Sequence, residues 1–138
     1  MAGLERRLLQ IAFATAGGVP VWGGLNGVIL GASAFGAWPG AAADSHVRYL
    51  SGLLLGIGVL WWCLIPNLER RTLVVRTLTA LVVTGGLARL AGALFIHDPG
   101  SMRWTLAMEL GVTPALCLWQ ARIAAHYAKS NPPALPTG

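Results

Sequence analysis

Residues 73–96 read LVVRTLTALVVTGGLARLAGALFI, and residues 102–127 read MRWTLAMELGVTPALCLWQARIAAHY. Each run is long enough to cross a bilayer, since a spanning helix needs about 20 mostly apolar residues. The linker His97–Ser101 is only five residues long and contains Asp98-Pro99-Gly100, a tight-turn sequence. A short linker makes the two helices antiparallel neighbours. Each run carries a charge deep within it. Arg89 lies seven residues before Ile96, and Glu109 lies seven residues after Met102. At the helical rise both groups sit roughly 10 Å below the same end of the hairpin. An ionisable group facing hydrocarbon costs about 2.5–3.5 kcal/mol on insertion scales. Matching depth and opposite sign therefore predict that Arg89 and Glu109 face each other.

Two further apolar runs precede this hairpin, at about Leu8–Phe35 and His46–Ile65, joined by Gly36–Ser45 and Pro66–Thr72. The expected fold is an all-α integral membrane four-helix bundle with up-down-up-down topology and a single domain. Asp44 and Ser45 are the expected N-caps of the second helix, and Pro66 is its expected stop. Arg6 and Arg7 before an apolar stretch, with Ala12-Phe13-Ala14, resemble a cleavable leader. The apolar character continues to about Phe35, so the reading is a retained first helix.

Composition agrees. Of 138 residues, 55% are hydrophobic and 11% charged, whereas a soluble domain carries roughly 25% charged residues. The net charge of +5 does not mark a nucleic-acid binder, because the cations flank apolar runs instead of clustering with aromatics. Arg6, Arg7, Arg70, Arg71, Arg76, Arg122 and Lys129 fall on one side of the expected bundle, and Arg48 and Arg103 toward the other. The positive-inside rule then places both termini in the cytoplasm. The Pro-rich tail, about residues 130–138, is expected to be disordered. Trp38, Trp61, Trp62, Trp104 and Trp119 suit interfacial belts, and Trp61, Trp62 and Trp119 equally suit packing between helices.

Other polar residues share the depth of Arg89 and Glu109. Asn26, Arg48 and Tyr49 join them as the expected lining of an intramembrane polar pocket. Asp44, His46, His97, Asp98 and Arg103 would form its rim. Thr105 and Thr113 lie at i−4 and i+4 from Glu109, on its face. The alternative for Arg89 and Glu109 is a structural ion pair, and for Arg48 a side chain that snorkels to the interface. Gly23, Gly27 and Gly31 repeat every four residues, a spacing that lets helices pack closely or a ligand approach backbone, and this face would be the interface of an accessory subunit in a homo-oligomer or larger membrane complex. Pro20 and Pro114 interrupt the first and fourth helices, and Pro114 frees the carbonyl of Leu110 beside Glu109.

No phosphate loop, dinucleotide fingerprint or Ser/His/Asp arrangement is present, so no catalytic residue is assigned. Cys63 and Cys117 belong to no metal-binding spacing, and no metal or cofactor is assigned. The ligand expected of the pocket is a small polar or anionic group, such as a lipid or quinone head. The competing functions are an accessory subunit of a membrane complex and a quinone-linked or proton-coupled membrane component.

The order Asp44-Ser45-x-x-Arg48-Tyr49-Leu50-x-Gly52, Glu69-Arg70, Gly85-Gly86-x-x-Arg89, Glu109-Leu110, Pro114 and Trp119-Gln120 resembles a family of small bacterial four-helix membrane proteins. That family is classed only as a domain of unknown function. The resemblance covers roughly residues 5–125. It implies a multi-pass protein of the bacterial inner membrane and no particular activity. A looser similarity is to DoxX-like four-helix proteins, some of which accompany quinone-linked oxidation; no redox motif here matches them.

Overall fold

The computed structural model describes residues 2–35, 40–95 and 102–130. The expected turn at 98–100, Trp38, His97 and the tail beyond residue 130 lie outside the described residues. Helix α1 spans Ala2–Leu30 and continues as a 3-10 turn, Gly31–Phe35. Helix α2 spans Ala41–Leu64 and runs into a second 3-10 segment, Ile65–Arg70. Helix α3 is Thr72–Phe95. The last helical stretch has three parts: α4 at Arg103–Ala107, a π-helical turn at Met108–Val112, and α5 at Thr113–Ser130. The chain is all-α.

Among the described residues, three stretches are long and apolar enough to cross a membrane: Gly3–Ser33, Ala41–Arg70 and Thr72–Phe95. Their outward faces carry large apolar side chains, among them Ile11, Trp22, Leu60, Leu81 and Phe95. Apolar residues all round a helix suit lipid better than water. The expected fourth span is helical from Arg103 to Ser130, but its π-turn divides it.

Contacts group the chain into two compact units. One is Ile11–Ile65; the other combines Met1–Gln10 with Pro66–Gly138. In the first unit α1 and α2 form a hairpin whose seam is built on glycine. A Cβ at Gly24 would stand 2.6 Å from the backbone nitrogen of Leu55, and one at Gly58 would stand 2.9 Å from that of Val21. Gly17 leaves room for the Trp62 ring, whose Nε1 donates to the Ala14 carbonyl at 3.0 Å. Beside it the Phe13 and Trp61 rings stack with centroids 4.6 Å apart. Gly27 faces Ser51 of α2.

The ends of α2 depart from expectation. Asp44 and Ser45 do not cap the helix, which begins earlier, at Ala41. Gly40 adopts φ 84°, and its carbonyl accepts the Asp44 N–H at 3.1 Å. The Asp44 carboxylate is engaged elsewhere, as described below. At the other end Pro66 acts as expected. It lacks the N–H that would bond the Trp62 carbonyl, and the N–H of Ile65 takes that carbonyl in 3-10 fashion.

In the second unit α3 packs against the π-turn and α5. Gln120 of α5 is completely buried. Its Nε2 donates to the Leu68 carbonyl at 2.6 Å and to the Thr72 hydroxyl at 3.0 Å. One amide thus ties α5 to the turn entering α3. Gln120→Leu fills similar space but leaves both acceptors without that donor, so unfolding in detergent should become easier by about 1–3 kcal/mol. Unchanged or higher stability would mean that the amide is dispensable.

Candidate functional site

Arg89 and Glu109 meet. The guanidinium donates from Nε to Oε2 of Glu109 at 3.2 Å and from Nη2 to Oε1 at 3.3 Å. This is a two-pronged fork-to-carboxylate contact, which sets orientation as well as distance. Two local features bring the groups together. On α3, Gly86 lies one turn before Arg89. A Cβ there would stand 2.9 Å from Cβ of Glu109 and 2.8 Å from Cδ2 of Leu110, so only glycine lets the two segments approach this closely. On the other side Glu109 lies in the π-turn. Pro114 has no N–H for Leu110 and its ring crowds that carbonyl. The register widens by one residue: the Thr113 N–H and its Oγ1 both reach the Met108 carbonyl, five residues back. Such π-turns recur at functional sites.

The pair is asymmetric in exposure. The Glu109 side chain is 15% exposed and that of Arg89 is 40% exposed. A guanidinium carries five N–H donors, and the two bonds to Glu109 leave the outer edge of Arg89 open. Of the neighbouring threonines, Thr113 directs its hydroxyl into the π-turn, and Thr105 is half-buried.

Of the other expected residues, Asn26, Arg48 and Tyr49 and the rim residues Asp44 and His46 belong to the unit Ile11–Ile65. Arg48 closes the end of α1. Its Nη1 donates to the carbonyls of Val28 at 2.7 Å and Ile29 at 3.0 Å, which would otherwise be orphaned at the helix terminus. Its Nε donates to Oδ2 of Asp44 at 2.8 Å, and Oδ1 of Asp44 accepts the Ala32 N–H at 2.8 Å. Gly31, at φ 61°, makes the bend that presents Ala32 to Asp44. Asp44 and Arg48 therefore form a clasp over the α1–α2 connection. Asn26 donates to the Trp22 carbonyl of its own helix at 2.9 Å. Tyr49 and His46 are exposed. Arg103 is exposed on α4, and His97 lies outside the described residues.

By sequence the basic end of the molecule carries a topology signal, and no site residue is assigned there. There Arg6 pairs with Glu69 at 3.1 Å and donates to the Pro66 carbonyl at 3.0 Å. Arg70 donates to the Tyr127 hydroxyl at 2.6 Å. The signal available was the acid within Glu69-Arg70-Arg71, an anion among cations on an expected inner loop. Cys63 and Cys117 are free thiols, and among the described residues no group of three or more His, Cys, Asp or Glu is placed to hold a metal ion.

No curated protein and no solved structure matches the chain. The family model for a domain of unknown function, DUF4345, matches residues 8–120 and so takes in α1, α2, α3, the π-turn and α5 as far as the buried Gln120. The chain belongs to the DUF4345 family.

Proposed function

We propose that the protein is a non-enzymatic, multi-pass protein of the bacterial inner membrane that holds a hydrogen-bond-accepting group within the bilayer at Arg89. In this reading the chain crosses four times, with both termini in the cytoplasm. The cation bias of the expected inner side supports that orientation. Glu109 orients the guanidinium, and Arg89 offers its outer edge to a carbonyl or phosphate oxygen of a lipid or quinone head.

The observation that carries this reading is the guanidinium with two of its five N–H donors engaged. A structural pair within apolar surroundings repays its desolvation only when its remaining donors and acceptors are also bonded. Here the anion is enclosed while the cation keeps 40% of its side-chain surface. Donors left open among apolar residues call for an acceptor. The test is extraction of purified protein followed by mass spectrometry of the small molecules released. Arg89→Lys keeps the charge but loses the planar fork, and retention of the bound molecule should fall about tenfold. Equal retention by the variant would remove the proposal.

A second reading has its own support. The direct two-pronged contact, seated by Gly86, also suits a lock between α3 and the π-turn in an accessory subunit. That reading expects stability to change with the pair and no retained molecule to depend on Arg89.

A further inference from the structure

Away from the Arg89 site, the first turns of α1, the 3-10 segment after α2 and the last turns of α5 border an open cavity of about 550 Å³. Glu5, Arg6, Glu69, Arg122, His126 and Tyr127 contribute to its lining. The volume lies within the usual range for small-ligand sites, about 300–1,000 Å³. Parts of its wall are set by internal bonds. Glu69 holds Arg6 at 3.1 Å, with the Pro66 carbonyl as a further acceptor at 3.0 Å, and Arg70 holds the Tyr127 hydroxyl at 2.6 Å. Arg6 and Glu69 neutralise each other.

Two lining charges are left over, and they have opposite sign. Among the described residues, neither Glu5 of α1 nor Arg122 of α5 has an ion-pair or hydrogen-bond partner of its side chain. A simple anion would use Arg122 and be repelled by Glu5. A group carrying both charges satisfies both residues. A phosphodiester accepts from the forked guanidinium, and a primary ammonium supplies three N–H donors to a carboxylate.

We propose that this cavity binds a phosphoethanolamine group, with Arg122 on the phosphate and Glu5 on the ammonium. The group has two possible sources, a bilayer lipid or a soluble phosphodiester. The cavity lies at the ends of the apolar segments, the level at which headgroups sit in the membrane reading given above. The lipid source rests on that reading; the pairing chemistry does not.

The test is native mass spectrometry of the detergent-purified full-length chain. It is offered phosphatidylethanolamine, phosphatidylcholine and phosphatidylglycerol of matched acyl chains in equal amounts. Choline keeps the positive charge but has no N–H, and glycerol has no cation. Retention of phosphatidylethanolamine should exceed that of each competitor by about fivefold or more. Glu5→Gln should abolish the preference over phosphatidylcholine, and Arg122→Gln should lower retention of all three lipids. Equal retention of the ethanolamine and choline lipids by the natural sequence would overturn the proposal. That comparison needs no variant, so a misfolded variant does not rescue it. A preference unchanged in a folded Glu5→Gln variant would overturn it too. Calorimetric titration with glycerophosphoethanolamine separates the sources: binding as strong as that of the lipid assigns a soluble ligand, and much weaker binding assigns the lipid. Neither result depends on Arg89, so this proposal and the one above fail separately.

Discussion

Glu109→Leu should lower the stability of the protein in detergent or bilayers by about 2–3 kcal/mol, and adding Arg89→Leu should restore most of that loss. The single change leaves a guanidinium among apolar residues with neither of its bonds to Oε1 and Oε2. Breaking an enclosed pair is expensive because one charge is stranded, whereas replacing both partners by apolar groups is often close to neutral. The partial exposure of Arg89 moderates the penalty relative to a fully enclosed pair. Denaturant titration of the two single variants and the double variant forms a complete cycle. A coupling energy near zero would show that the pair contributes nothing to the fold. The double variant has a further use: it keeps the helices packed while removing every donor of Arg89.

Gly24→Leu should be the most damaging single change in the α1–α2 hairpin, at about 3 kcal/mol. The added Cβ would lie 2.6 Å from the nitrogen and 2.8 Å from Cα of Leu55. Those are backbone atoms and cannot turn aside as a flexible side chain can, so the helices must separate. Separation would also disturb the Trp62 bond to Ala14 and the stack of Phe13 on Trp61. Gly18→Ala is the matched control. Nothing lies within 4 Å of its new Cβ, and alanine favours the helix by about 0.5–1 kcal/mol. Thermal unfolding followed by circular dichroism should separate the two variants clearly. Equal behaviour would mean that the close approach at Gly24 does not govern packing.

The parts of this account that were legible in the sequence are those set by distance along a helix. Arg89 and Glu109 were placed at one depth by counting seven residues from each end of a short turn, and they meet. Pro66 marked the end of α2 through its missing N–H. Pro114 marked a disturbance beside Glu109, but a missing donor leads equally to a kink or to a widened turn. The choice of a π-turn depends on Thr113 reaching Met108.

What escaped the sequence is set by partners far along the chain. Asp44 has the composition of an N-cap, yet its carboxylate serves the Ala32 N–H twelve residues earlier. Arg48 was grouped with the pocket by its depth; its Nη1 closes the end of α1, about twenty residues back, while its Nε pairs with Asp44. The repeat of Gly23, Gly27 and Gly31 suggested one seam. The observed seam uses Gly17, Gly24, Gly27 and Gly31, and Gly23 has only a Leu54 methyl at 3.8 Å. Which face of an evenly apolar helix turns inward depends on the bulk opposite, here Trp61, Trp62 and Leu55. Gln120 enters the sequence reading only through the family pattern at Trp119-Gln120, and its acceptors on Leu68 and Thr72 lie about fifty residues earlier.

The central claim is that Arg89, held by Glu109, offers its remaining donors to a molecule within the bilayer. The most direct test is mass spectrometry of material extracted from the natural protein and from the folded Arg89→Leu/Glu109→Leu double variant, purified side by side. The account predicts a lipid or quinone species retained by the first and lost from the second. The same species retained equally by both would contradict it and leave the pair as a lock between α3 and the π-turn.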